Sequence, residues 1–348
     1  MEAIYVLEAG TYLRKEGMSL KVVKGSNIVD EIPVNGLKRL TLMGYTMLSG
    51  AVLDFLVQNR VETVFLTPTV RFRARLAVDE HRHVNLRRAQ YLMLSNPNFS
   101  LKTAKIIVRG KIQNMARFLT MRSRQYQIDQ LRIQALRLKS MARFVQETND
   151  LDRLRGIEGH ASRLYYEVFP LLIRNSLFEF QGRNKRPPRD PVNAMLSFVY
   201  TMLTNEVLSA INACGLDPYL GSLHEVAYGR PSLACDLVEE YRCFLGDRFV
   251  LALVNRKAVS PGDFVCRRSV PDNFVDEEDM KEKRPVEMKP SICKAFIASY
   301  EEMMNRKVVY SKRNITTSYR MLIHYQVRSF AEYLQNPKVE YAPFAWEK

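Results

Sequence analysis

The sequence predicts an α+β fold, with a small N-terminal β-rich, sandwich-like domain over residues 1–80 and a larger all-α domain over 81–348. Three observations predict it. Glycine clusters early, six of the fifteen lying at positions 10, 17, 25, 36, 44 and 50, and cuts the first fifty residues into short β-rich runs. From about residue 86 glycine becomes rare and apolar residues recur at helical spacing. A chain of 348 residues with 47% apolar content also holds enough material for two cores.

Ile4–Leu7, Thr11–Arg14, Leu20–Val23 and Leu40–Met43 read as strands, and their close punctuation predicts a compact antiparallel domain. A helix over Ser49–Gln58 and a strand over Glu62–Leu66 complete it. Beyond residue 86, Lys102, Lys105 and Arg109 share one helical face while Ile106, Ile112, Met115 and Leu119 line another. In a helix over Leu151–Phe169, Leu154, Ile157, Ala161, Leu164 and Val168 mark a buried stripe. Asp190 caps, and Pro191 opens, a helix running to Ala213 and ended by Gly215. A further helix begins near Ser232 and packs through Leu233, Leu237, Tyr241 and Phe244. Residues 256–290 are Pro- and charge-rich and read as a mobile loop, with Asp276 to Asp279 facing Lys281, Lys283 and Arg284. Two closing helices span Ser291–Asn305 and Thr317–Gln335.

The formal net charge is +15, and it is concentrated. Between Arg71 and Arg143 seventeen Lys or Arg stand against Asp79, Glu80 and Asp129. A basic region of that density suits a polyanionic partner, because clustered cations displace the counterions condensed on a nucleic-acid backbone. The five cysteines, at 214, 235, 243, 266 and 293, are odd in number and form no Cys-x-x-Cys pair, which predicts neither a disulfide framework nor a structural zinc site. With no basic-then-apolar leader and no run near eighteen apolar residues, the expected location is the cytoplasm.

Three separated fragments carry the candidate chemistry. Glu158 lies at the margin of the 151–169 stripe, where a partly desolvated carboxylate needs a cation partner. His224 follows Gly221-Ser222-Leu223, and Asp236 and Glu239, at i and i+3, share a helical face and are expected to point at one cation. Carboxylates with an imidazole form a hard oxygen and nitrogen set suited to Mg²⁺ or Mn²⁺ rather than zinc. Other chemistries fail on spacing. His224-Glu225 lacks a second His four residues on, no dinucleotide or P-loop glycine pattern exists, and Ser222 is not in Gly-x-Ser-x-Gly.

At these residues the chain resembles the CRISPR-associated adaptation nucleases, the integrase subunits that insert spacers into CRISPR arrays. The likeness rests on Gly156-Ile157-Glu158-Gly159 continuing through Ala161 to Tyr166, and on Arg186-Pro187-Pro188-Arg189-Asp190-Pro191-Val192-Asn193. Gly215-Leu216-Asp217-Pro218, His224-Glu225, Gly229 to Ala234 and Asp236 to Glu240 continue it in order. The resemblance implies that the helical domain is catalytic and that Glu158, His224 and Glu239 bind the divalent ion, with Asp236 as a supporting acid or alternative ligand. The resemblance also implies Asp in many relatives where this chain has Glu239, which leaves the direct ligand open between Asp236 and Glu239. Arg163, Tyr165, Asn193, Arg230 and Ser232 lie in the matching blocks. The implied activity is metal-dependent insertion of short DNA into a repeat by transesterification. The implied partners are prespacer and repeat DNA, a second copy of the chain joined through the β domain, and a small ferredoxin-like CRISPR-associated subunit. The alternative from a different class is a non-catalytic basic nucleic-acid-binding scaffold whose acids only satisfy buried arginines.

Overall fold

Strand pairing in the N-terminal region follows its hydrophobic pattern but not its expected direction. The computed structural model describes residues 3–67, 72–76 (for Phe72 the backbone only), 83–184, 187–266, 286–336 and 338–346. Two compact units divide the chain at Met1–His81 and Arg82–Lys348. In the first unit, β1 (Ala3–Val6), β5 (Arg39–Met43) and β7 (Glu62–Leu66) run parallel, with β8 (Phe72–Leu76) antiparallel at the edge. A second sheet pairs β2 (Tyr12–Glu16), β3 (Ser19–Lys24) and β4 (Asn27–Pro33) antiparallel, with β6 (Met47–Leu48) parallel to β2. The purely antiparallel expectation is corrected here. Helix α1 (Gly50–Gln58) lies in the crossover that lets β7 align with β5, which no tight hairpin can do. Ser49 caps α1 by accepting from the Val52 N–H, and Val52 and Leu56 enter a core with Leu13, Leu20, Leu40 and Leu42.

The second unit is dominated by helices. α2 (Val84–Leu94) leads into α3 (Pro97–Tyr126), thirty residues capped by Asn96, and α4 (Asp129–Glu147) returns along it. α5 (Leu151–Glu167), α6 (Pro191–Cys214), α7 (Ser232–Leu237) and α8 (Glu239–Tyr241) follow. A π-helical turn over Arg242–Asp247 continues into α9 (Arg248–Asn255), and α10 (Pro290–Asn305) and α11 (Tyr319–Gln335) close the fold. α6 starts where Asp190 accepts from the Asn193 N–H and stops at Gly215, whose φ of 81° is the left-handed conformation that glycine tolerates. By length and composition α6 could cross a membrane, yet 72% of its apolar window is buried inside the unit, as in a core helix. Of the expected loop 256–290, residues 267–285 lie outside the described residues, as do Arg71, Asp79, Glu80, Arg82 and Arg186. Its described ends are paired: β9 (Phe264–Cys266) runs antiparallel to β10 (Val286–Met288).

The basic stretch is not one solvated face. Lys102 and Arg109 are exposed, but α3 is covered on most sides in its second half, and Lys111 lies inside. The tail over 341–346 crosses α3 and fastens beside the candidate site. The Tyr341 hydroxyl and the Phe344 N–H, the latter at 2.7 Å, both donate to the buried Glu240 carboxylate.

Candidate active site

Three hydrogen-bonded ties hold the candidate fragments to one another and to α3. On α5, Arg155 Nε donates to the Leu223 carbonyl at 2.9 Å, tying the Glu158 helix to the loop that carries His224. On α3, Asn114 Nδ2 donates to the Glu240 carbonyl at 3.0 Å and to the Phe344 carbonyl at 2.8 Å, tying α3 to the helix that carries Glu239. Asp236 makes the third tie. Its Oδ2 accepts from the Ser222 N–H at 2.6 Å and the Leu223 N–H at 2.9 Å, and its Oδ1 from the His224 N–H at 3.0 Å.

Asp236 Oδ1 also lies 2.7 Å from His224 Nδ1. In a neutral ring an acceptor there favours the proton on Nδ1 and a lone pair on Nε2, the tautomer that ligation through Nε2 uses. A side chain at Gly221 would meet Asp236 Oδ2 at 2.6 Å, so the loop approaches this closely only because residue 221 is glycine.

Glu158 and Glu239 converge on one cation, the ammonium of Lys111. It contacts Glu158 Oε1 and lies 2.8 Å from Glu239 Oε2, while Arg242 holds Glu239 Oε1 at 2.8 Å. Burial raises the Glu239 carboxyl, but Arg242, then Lys111 and to a lesser degree His224 outweigh it and bring it down from 4.5 to about 2. Burial likewise lowers Lys111, and Glu239 and Glu158 more than restore it, so the ammonium stays charged. Glu239 Oε2 is buried and has no aligned hydrogen bond despite its ion pair.

Asp236 and Glu239 take different partners here: Asp236 the Ser222 to His224 loop, and Glu239 the cations of Lys111 and Arg242. The helical backbone continues through Val238, whose N–H donates to the Ala234 carbonyl at 3.0 Å and whose carbonyl accepts from the Arg242 N–H at 3.2 Å. With Lys111 between Glu158 and Glu239, no three of His, Cys, Asp and Glu form a ready metal cluster among the described residues. The donor chemistry nevertheless fits a hard dication. Two carboxylates already hold a cation in common, one of them offers a buried oxygen without an aligned donor, and a fixed imidazole stands within electrostatic reach.

Lys111 and Arg242 were not among the sequence candidates. Lys111 had a signal: with Ala104, Val108 and Met115 it falls on the buried helical spacing of α3. Of the other block residues, Arg163 and Arg230 are exposed. Asn193 is buried and accepts from Arg183 Nη1 at 2.7 Å, and Ser232 Oγ donates to the Glu225 carbonyl at 2.8 Å. Tyr165 donates to Asp247 Oδ2 at 2.9 Å, and Tyr200 donates to its Oδ1.

Burial pushes the Asp247 carboxyl up from 3.8 to about 6, with Tyr200 and Tyr165 acting the other way. A folded-state pKa above the unfolded one means that this group's contribution is full below 3.8 and is lost as pH rises to about 6. At 1.36 kcal/mol per unit the loss is about 3 kcal/mol. Asp247→Asn is expected to flatten the urea-midpoint profile over that window, and a profile parallel to wild type would contradict this assignment.

The fold is that of known Cas1 structures. A Cas1 protein from Thermotoga maritima superposes with a TM-score of 0.79 at 25% identity, covering 100% of both chains. A casposase bound to integration product reaches 0.81 at 21% identity, covering 100% of this chain and 95% of that one, which shows the fold alone. A chain of a Cas6-RT-Cas1–Cas2 complex reaches 0.82 at 20% identity, and this chain spans 36% of its length. The chain belongs to the Cas1 family: the family model for CRISPR associated protein Cas1 matches residues 4–301. Similar curated proteins include CRISPR-associated endonuclease Cas1 1 of Chlorobaculum tepidum, 33% identical over 99% of this chain and 98% of that one. CRISPR-associated endonuclease Cas1 3 of Thermus thermophilus is also 33% identical, over 98% and 96%.

Proposed function

We propose that the protein is a metal-dependent DNA endonuclease and integrase that inserts short DNA into a CRISPR repeat by transesterification, using Mg²⁺ or Mn²⁺ held by Glu158, His224 and Glu239. The observation that carries this is the convergence of Glu158 and Glu239, from helices eighty residues apart, on a single cation. A bound dication supplies charge stabilisation at the attacking and leaving oxygens of a phosphodiester. Glu158 and Glu239 provide its anionic ligands, and His224 Nε2 its neutral one. Asp236 holds His224 in the required tautomer and fixes the loop. In the reaction a 3′-hydroxyl attacks phosphorus, a new P–O bond forms, and the bond to the leaving 3′-oxygen breaks, that oxygen taking up the proton the nucleophile releases. One phosphodiester replaces another, so no nucleotide triphosphate is consumed.

The exposed cations of the 71–143 stretch, such as Arg87, Arg88, Lys102 and Arg109, grip the DNA through its phosphates. The proposed protein partners are a second copy and a small ferredoxin-like subunit, in line with the Cas1–Cas2 assemblies of the structural neighbours. Strand β4 is a sheet edge with Ile28 and Val29 half exposed, an apolar surface suited to the second copy. A cytoplasmic location fits five free cysteines.

The scaffold alternative draws support from one observation, since Glu239 Oε1 does pair with the partly buried Arg242. A half-site joining assay with DNA, protein and partner decides between them. Chelator is expected to abolish joining while leaving DNA binding intact, and binding is expected to weaken steeply with salt, by about 10³-fold or more between 50 and 200 mM if six or more phosphates are contacted. Joining that survives chelation would leave the scaffold or a metal-free mechanism.

A further inference from the structure

Two carboxylates that share a dication face a difficulty when it is absent: like charges this close repel, and burial removes the water that would screen them. Lys111 resolves the difficulty here. It projects from the middle of α3 with its side chain 11% exposed, and its ammonium contacts both Glu158 Oε1 and Glu239 Oε2. The surroundings leave that ammonium replaceable. Arg242 is committed to the other oxygen of Glu239, and Ser162 Oγ supports Glu158 Oε1 at 3.2 Å. Glu239 Oε2 is met by Lys111 at ion-pair distance but without hydrogen-bond alignment.

We propose that Lys111 is a placeholder cation, whose ammonium occupies the position between Glu158 and Glu239 in the metal-free protein and is displaced when a divalent ion binds both. This inference rests on the metal-site reading above. Two consequences follow from competition for the same oxygens. The bare donor set binds a dication more tightly than the intact protein does, because each binding event first breaks two ion pairs. The metal-free protein in turn keeps its fold, because the carboxylates are never left facing each other alone. Arg242 holds the opposite oxygen and has no need to leave.

The test is a calorimetric Mn²⁺ titration of the purified full chain as wild type, Lys111→Met and Lys111→Gln, with melting temperatures in chelator and in saturating Mn²⁺. Competing cations coupled with ordinary strength change affinity by about 5- to 150-fold. Both variants are therefore expected to bind Mn²⁺ about tenfold or more tightly than wild type, to melt lower in chelator, and to gain more from Mn²⁺. Equal or weaker Mn²⁺ binding in both variants overturns the placeholder and leaves the metal reading standing. No Mn²⁺ binding by any of the three overturns both. If a variant does not fold in chelator, recovery on refolding with Mn²⁺ supports the proposal, and failure to recover overturns it.

Discussion

Glu239→Ala is expected to abolish strand joining and to destabilise the helical unit by about 3–5 kcal/mol, the cost of leaving a buried charge without its partner. Two cations depend on this carboxylate, Arg242 at Oε1 and Lys111 at Oε2, and Glu239 is 3% exposed. Removing it leaves Lys111 with Glu158 alone. The sign of the pH dependence follows from the depressed carboxyl, about 2 against 4.5. The stabilisation is fully present above 4.5 and is lost as pH falls toward 2, so acid unfolding of wild type and variant converges at the low end. His224→Ala is the control: its ring is partly exposed and makes no ion pair with Lys111 or Arg242, so joining is expected to be lost while stability falls by only about 1 kcal/mol. Urea unfolding at neutral pH together with the joining assay separates the two variants. Wild-type joining by Glu239→Ala would remove it from the site, and an unchanged urea midpoint would contradict its role as the anion of this cluster.

The sequence made local features legible and left directions obscure. The ends of α6 were readable because Asp190, Pro191 and Gly215 act on backbone within one turn of themselves. Strand Glu62–Leu66 was readable because its flanking residues mark where pairing stops. That β1, β5 and β7 run parallel was not, since turn signals report where a strand ends and not which distant strand it joins. At the site, residue types and the buried side of α5 pointed to Glu158, and the Gly221 to Glu225 run to His224. Helical spacing alone put Asp236 and Glu239 near one another but did not show what each meets: Asp236 takes up the Ser222 to His224 loop, and Glu239 takes Lys111 and Arg242. Lys111 is one of seventeen cations in the basic stretch, and a count of charge does not show which of them is inside; burial depends on the helical phase of Ile107, Val108, Lys111 and Met115.

Asp236→Asn is expected to weaken apparent metal affinity by about 10- to 100-fold, the usual cost of losing the group that orients a ligand. The carboxylate serves five donors: the Ser222 N–H and hydroxyl and the Leu223 N–H at one oxygen, and the His224 N–H and Nδ1 at the other. Asparagine keeps one acceptor and turns the other into a donor. If its amide nitrogen faces Ser222 and Leu223, two backbone donors inside the protein lose their partner, at about 1–3 kcal/mol each, and the loop lifts. If it faces His224 instead, it donates to Nδ1, and the imidazole proton moves to Nε2, the nitrogen a metal needs free. Neither orientation preserves both the loop and the tautomer. Gly221 leaves no slack for a compensating shift, because its backbone already abuts this carboxylate. A direct ligand and a positioning group differ in what remains at high metal concentration. Saturating Mn²⁺ recovers much of the joining in Asp236→Asn if the residue acts through His224, whereas Glu158→Ala stays inactive. A Mn²⁺ titration of joining that overlays wild type would show that Asp236 does not orient His224 at all.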